Sequence, residues 1–185
     1  MDQSTKTSQK SDLETVVEDI LSKISQEREK EIISRRFGLY ARKETLEQIG
    51  DMLGVTRERV RQLEKAILVR LRLNVSDGHV PSATEMEKTL TSHLVEMGRV
   101  ARIQDLTSHL LGREATPTEK AHVAFIAELA QGITIINEND DYHQTAAIAS
   151  MGNEKAVKAS IEEIVTFIKK HGQPITAEEM HKTLQ

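Results

Sequence analysis

Between Thr45 and Arg72 the chain has room for little but two short helices crossing at a tight corner. Thr45 and Gln48 stand at capping-box spacing, and Thr56 offers a second helix start. Gly54 supplies the positive φ that the turn requires, and Gly50 is the small residue that lets the helices pass closely. Ile49, Leu53, Val55, Val60 and Leu63 are spaced to seal the corner. The helix after Thr56 divides by face. At about 100° per residue, Val60, Leu63, Ile67 and Leu71 share one side, while Glu58, Arg61, Gln62, Lys65 and Arg72 fall on the other. Residues 57–72 hold six basic and two acidic side chains. An apolar stripe backed by Arg, Glu and Gln near the helix start is the pattern of a major-groove reader. Arg bonds guanine bidentately, Gln bonds adenine, and Glu accepts from cytosine N4.

Charge is distributed to match. Residues 28–73 are net +5, against −3 for residues 1–27 and −6 for 74–185. One basic block between acidic flanks suggests that one segment meets a polyanion and the rest does not. The 185 residues contain no Cys and no Trp, and aromatics are 3%. This excludes a disulfide scaffold, a thiolate zinc site and aromatic stacking platforms, and suits a reducing cytoplasmic setting. No apolar run approaches the ~20 residues of a membrane span, and the polar start has no signal-peptide pattern. A phosphate-binding glycine loop and a nucleophile elbow are absent, so the chain reads as a non-enzyme without cofactor. None of the seven histidines is spaced i, i+3 or i, i+4 from another, or set in a ligand-like carboxylate pattern, and no metal site is expected. Asn137 to Asp141 lacks the Gly and terminal Glu of a calcium loop and reads as a turn.

The expected fold is mainly α: a four-helix helix-turn-helix domain, then winged-helix units with a small β-hairpin. Residues 1–12 read as a disordered tail, with Ser11 and Glu14 at capping-box spacing. Over 13–73, Leu13, Val16, Val17, Ile20, Leu21 and Ile24 form one apolar stripe. A second helix, capped by Ser25, holds Ile32 and Ile33 and stops at Gly38. Residues 74–81 read as a linker. Residues 82–149 give a helix capped by Ser82, a short strand at Val100–Ile103, a short helix, a helix announced by Thr116-Pro117-Thr118-Glu119, and two strands around 137–141. That is the order of a winged helix. Residues 150–185 hold a helix with Ile161, Ile164, Val165 and Ile168 inward, then a helix start at Thr176 and Glu179. They read as part of a further unit.

Arg36-Phe37-Gly38-Leu39, Thr45-Leu46-Glu47-Gln48-Ile49-Gly50 and Gly54-Val55-Thr56-Arg57-Glu58-Arg59-Val60-Arg61-Gln62-Leu63-Glu64 resemble region 4 of primary (sigma-70 family) bacterial sigma factors. The resemblance implies that the helix after Thr56 enters the major groove of a promoter −35 element, TTGACA in that family. It implies base reading by Arg57, Glu58 and Gln62, and positions near the phosphate backbone for Thr45, Leu46, Thr56, Arg59 and Arg61. Lys65 partly substitutes for a basic residue that the family carries where this chain has Ala66; Val69 is a second such departure. The resemblance also implies that the helices around Leu13–Ile24 and Glu29–Phe37 dock on the flap of the RNA polymerase β subunit. Nothing resembles the aromatic, basic region that opens the −10 element, so the chain is not expected to start transcription alone with core polymerase.

More loosely, residues 82–149 and Lys170-His171-Gly172-Gln173-Pro174-Ile175-Thr176-Ala177-Glu178-Glu179-Met180 resemble the HARE-type winged helix of the polymerase delta subunit. Glu138, Asp140 and Asp141 at the wing tip favour a protein partner over phosphate. Two functions stay open: a sigma-like regulator that binds −35-like promoter DNA and RNA polymerase, or a polymerase- or sigma-associated interaction module without sequence-specific DNA binding. Neither involves a membrane or a small-molecule substrate.

Overall fold

The structure, a computed structural model, describes residues 4–176 and 178–180, with side chains from residue 12 onward. It divides into two compact units, residues 1–150 and 151–185.

Among the described residues, the first unit is built on seven α-helices and one small sheet. Helix α1 (Ser4–Leu21) turns its apolar stripe wholly inward: Leu13, Val16, Val17, Ile20 and Leu21 are buried, with Ile24 just beyond. The backbone is already helical at Ser4, upstream of the expected start near Ser11. No Gly or Pro interrupts residues 4–12, so a helix formed at the apolar stripe extends backward without a stop. The expected tail falls partly on residues 1–3, outside the described residues. Helix α2 (Glu27–Phe37) starts after Gln26, not Ser25, and no side chain caps it. It ends on Gly38 in the left-handed conformation, as the sequence implies. A Cβ there would lie 2.9 Å from the Lys43 backbone nitrogen, so glycine is required twice over.

Helices α3 (Leu46–Leu53) and α4 (Arg57–Ser76) form the expected helix-turn-helix. Helix α4 runs three residues past Leu73, and the stretch expected as a linker places Val75 and Val80 in the core. Polar composition at 74–81 hid two apolar residues that pack inward from either side of a three-residue turn.

Helix α5 (Pro81–Glu96), strand β1 (Val100–Arg102), helices α6 (Ile103–Leu111) and α7 (Pro117–Leu129), and strands β2 (Ile133–Ile136) and β3 (Thr145–Ile148) follow in winged-helix order. The sheet order is β1-β3-β2, all antiparallel, with Ile133 opposite Ile148 and Val100 opposite Ala147. Helix α5 begins one residue before Ser82. Pro81 takes the first helical position, where its missing N–H costs nothing, and Ser82 Oγ instead donates to Asp19 of α1 at 2.6 Å. Helix α7 is capped by Thr116 and Glu119 as expected. Helix α7 is buried nearly all round: Glu119, His122, Val123, Phe125, Ile126 and Leu129 are all inside. Helix α1 packs along it, the Phe125 ring meets Phe37 of α2 at 4.9 Å between centroids, and His122 Nε2 sits 2.8 Å from the Leu39 carbonyl. One continuous core therefore runs from Leu13 to Ala146.

Histidines far apart in sequence also meet. His93 on α5 and His109 on α6 have their Nδ1 atoms 2.9 Å apart, with Glu96 one turn along α5. Sequence spacing could not show a pairing made across two helices.

The second unit carries helix α8 (Glu154–His171), capped by Asn153 and closed by left-handed Gly172. Ile164, Val165 and Ile168, expected inward, are exposed; only Val157 is buried on this helix. The amphipathic stripe is real, but the described residues of this unit supply no second apolar layer to cover it. Thr176 and Glu179 make the expected capping contacts: the Thr176 N–H and hydroxyl donate to Glu179 Oε2 at 3.1 and 2.9 Å. The helix expected beyond Met180 lies outside the described residues.

Candidate nucleic-acid interface

The corner is fixed by three features of its sequence. Thr45 Oγ1 accepts from the Gln48 N–H at 3.2 Å, and Gln48 Oε1 accepts from the Thr45 N–H at 2.9 Å. Gly54 closes α3 at φ +66, and the Val55 N–H reaches back to the Gly50 carbonyl at 2.9 Å. A Cβ on Gly50 would stand 2.7 Å from the Val55 carbonyl oxygen, so the close passage admits only glycine. Thr56 then caps α4, accepting from the Arg59 N–H at 3.2 Å. Underneath, Ile32, Ile49 and Val60 form a small separate core sealed by Leu46, Leu53, Val55 and Leu63. Arg28 donates to the Leu53 carbonyl at 2.8 Å and holds the end of α3 against α2. Arg36, whose Nε lies 3.1 Å from Glu64, ties α2 to α4.

This scaffold presents the sequence-selected residues as one exposed surface. Arg57, Glu58, Arg59, Arg61, Gln62 and Lys65 all face solvent along the first half of α4. Thr45 and Thr56 lie exposed at the two helix starts. Each hydroxyl accepts a cap bond and keeps its own proton to donate. The first N–H groups of both helices, Leu46 and Arg57 among them, lack intrahelical partners, which is the ordinary basis of phosphate binding at a helix start. Leu46 differs from the rest. Its side chain is half-buried in the corner core, so only its backbone belongs to the surface.

The site also contains an arrangement the sequence did not disclose. Arg61 grips Glu58 with two bonds, Nε to Oε2 at 2.8 Å and Nη2 to Oε1 at 2.7 Å, and Gln62 Nε2 adds a third at 3.3 Å. Arg61 holds the Glu58 carboxyl far below the usual carboxylate range, at about 2, with Gln62 and Arg57 contributing less. Three of the expected DNA contacts are thus tied to one another in the free protein. The i, i+3 spacing of Glu58 and Arg61 was the available signal. Both side chains are more than half exposed, so the pair is cheap to open. Arg57, Arg59 and Lys65 make no ion pair among the described residues. Arg72, on the same predicted face, is not available: it donates to the Glu128 carbonyl at 3.0 Å and pairs with the Glu128 carboxylate on α7.

Helix α7 is buried nearly all round and packs against α1 and α2, so it presents no comparable surface.

The corner geometry has a family counterpart. Residues 26–80 match the family Sigma-70, region 4. The chain is 48% identical over 63 residues to the RNA polymerase sigma factor RpoD of Helicobacter pylori. It is 46% identical over 61 residues to the sigma factor SigA of a Bacillus species, and 44% over 54 residues to the sigma factor sigB of Arabidopsis thaliana. These alignments cover 33%, 32% and 29% of this chain, and 9%, 16% and 9% of the relatives. The chain therefore spans a small fraction of the sigma factors it matches. No solved structure matches the chain. Among the described residues, no helix is long and apolar enough to cross a membrane.

Proposed function

We propose that the chain is a sigma-like, DNA-binding transcription regulator rather than an enzyme. Its region 4 segment binds double-stranded promoter DNA at a −35-like element with the start of α4 in the major groove. Arg57, Glu58 and Gln62 read base edges. Thr45, the Leu46 backbone, Thr56, Arg59, Arg61 and Lys65 meet phosphates on either side. The observation that carries this reading is the row of six exposed polar side chains on α4, raised on a glycine-tight, twice-capped corner inside the segment that matches sigma factors.

RNA polymerase is the proposed protein partner, and it supplies affinity by holding the domain close to the promoter. The geometry of α1 limits how that docking works. Its apolar stripe, on a helix that the family resemblance assigns to flap contact, is spent in this chain's own core. The contact then falls to apolar side chains left exposed outside that stripe, Tyr40 in the loop after α2 and Met52 on α3.

The reading as an interaction module without base recognition has one specific support, the mutual ion pairing of Glu58 and Arg61 in the free protein. Capture of RNA polymerase from lysate on the immobilised full chain, with and without nuclease, followed by footprinting of promoter DNA on the captured complex, separates the two. Protection centred on a −35-like hexamer supports the proposal. Nuclease-resistant capture with no protection supports the interaction module.

A further inference from the structure

We propose that His93, Glu96 and His109 form a binding site for a first-row divalent transition-metal ion, zinc above all, that staples α5 to α6. The three donor groups lie within 4.8 Å of one another. Two nitrogens about 2.1 Å from one ion, at tetrahedral or octahedral angles, are separated by about 3.0–3.4 Å. The two Nδ1 atoms stand 2.9 Å apart, at the near edge of that spacing. Glu96 Oε2 lies 3.7 Å from His93 Nδ1, on an exposed side chain free to swing the remaining distance.

The donor set selects the ion. Two imidazoles and one carboxylate suit zinc and its neighbours and do not suit calcium or magnesium, which take oxygen ligands. Three protein ligands leave a position for water, and the exposure of Glu96 and His109 provides an entry path. The placement on the helices favours a cation independently. His93 lies in the last turn of α5 and His109 in the last turn of α6, where the carbonyl ends of both helices carry partial negative charge. The rings also approach edge to face, with centroids 5.0 Å apart and planes at 79°. Helices α5 and α6 are joined by the Met97–Arg102 segment and belong to the layer that carries α1 and α7. A bound ion therefore fixes the winged-helix half of the core without touching the DNA-facing corner.

The test uses the chelator-treated full chain, titrated with zinc chloride in competition with a chromophoric zinc indicator. A thermal melt is run at each zinc level. We expect one saturable equivalent and a melting midpoint that rises with zinc. His109→Gln and His93→Gln should weaken binding by more than the ~10-fold that loss of even an outer-sphere partner costs, and should abolish the zinc-dependent rise. His79→Gln, an exposed histidine outside the cluster, should change neither. His109 is exposed, so its variant keeps the core, and the zinc-free melt verifies that. Absence of saturable binding overturns the proposal. So does binding that His109→Gln leaves intact, or a stability loss in that variant that is the same with and without zinc. The last result would mean that the two rings share a hydrogen bond only.

Discussion

Glu58 and Arg61 do opposite things in the free protein and in the proposed complex. In the free protein each satisfies the other. On DNA, Arg61 turns to a phosphate and Glu58 to a base edge. The exchange costs little because both are exposed, and exposed pairs are worth about 0–1 kcal/mol. Glu58→Gln should release Arg61 from its partner in the free state. Affinity for a scrambled duplex should rise modestly, because no ion pair has to open, with the slope of log K against log salt nearly unchanged, whereas Arg61→Ala should flatten that slope by about one phosphate contact. Salt titrations of the three proteins check this; a slope that Arg61→Ala leaves unchanged would mean that Arg61 stays off the backbone. At this scale much of the site was legible. Gly50 and Gly54 are where a tight corner needs them, and the exposed residues of α4 follow from helical period. Leu46 was expected at a position near the phosphate backbone, and its side chain is half-buried in the corner core. A residue after a capping threonine can turn into the corner core while its N–H stays outside, and sequence alone does not separate the two.

Helix starts show where local signals hold and where packing overrides them. The threonine capping boxes at Thr45 and Thr116 formed as read, because each has a partner three residues on and an apolar face to bury. Ser25 and Ser82 did not become caps: at Ser82, Pro81 sets the helix start and Asp19 takes the hydroxyl. Contacts between elements left no local trace, which is why the meeting of His93 and His109 was invisible. The start of α7 carries a measurable consequence. Arg113 donates to both oxygens of buried Glu119, at 2.6 and 3.0 Å, and the Thr116 N–H adds 2.9 Å. Arg113 and then Thr116 pull that carboxyl down to about 2 against the opposing effect of burial. A carboxyl lowered in the folded state stabilises above its unfolded value, and that stability drains away as pH falls through about 4.5 to 2. The contribution is roughly 3 kcal/mol at neutral pH. Urea melts from pH 7 to pH 3 should show a steep acid loss that is smaller in Glu119→Gln, a variant already weaker at pH 7. Parallel pH profiles for the two proteins would contradict this.

Across the whole first unit, the winged-helix half is built into the region 4 half. Helix α1 lays its entire apolar stripe into the core it shares with α5 and α7, and Phe37 meets Phe125 across the two halves. The order of elements was readable from turns and caps, but the shared core was not, because a stripe does not say which helix will cover it. Phe125→Ala should cost about 3–5 kcal/mol. The loss should appear as one lowered transition for both halves, whether followed by a probe on α4 or by one on the sheet. Two separated transitions would show that the halves fold apart. The central claim concerns the same unit's exposed row on α4, proposed above to meet DNA. The most direct measurement is a titration of the full chain and of Arg57→Ala, with polymerase present, on a −35 duplex and on a scrambled duplex. Arg57→Ala should lose about 1–3 kcal/mol on the −35 duplex, with discrimination relaxed at one base pair and little change on the scrambled one. Equal loss on both duplexes, or loss on neither, would contradict direct base reading by α4.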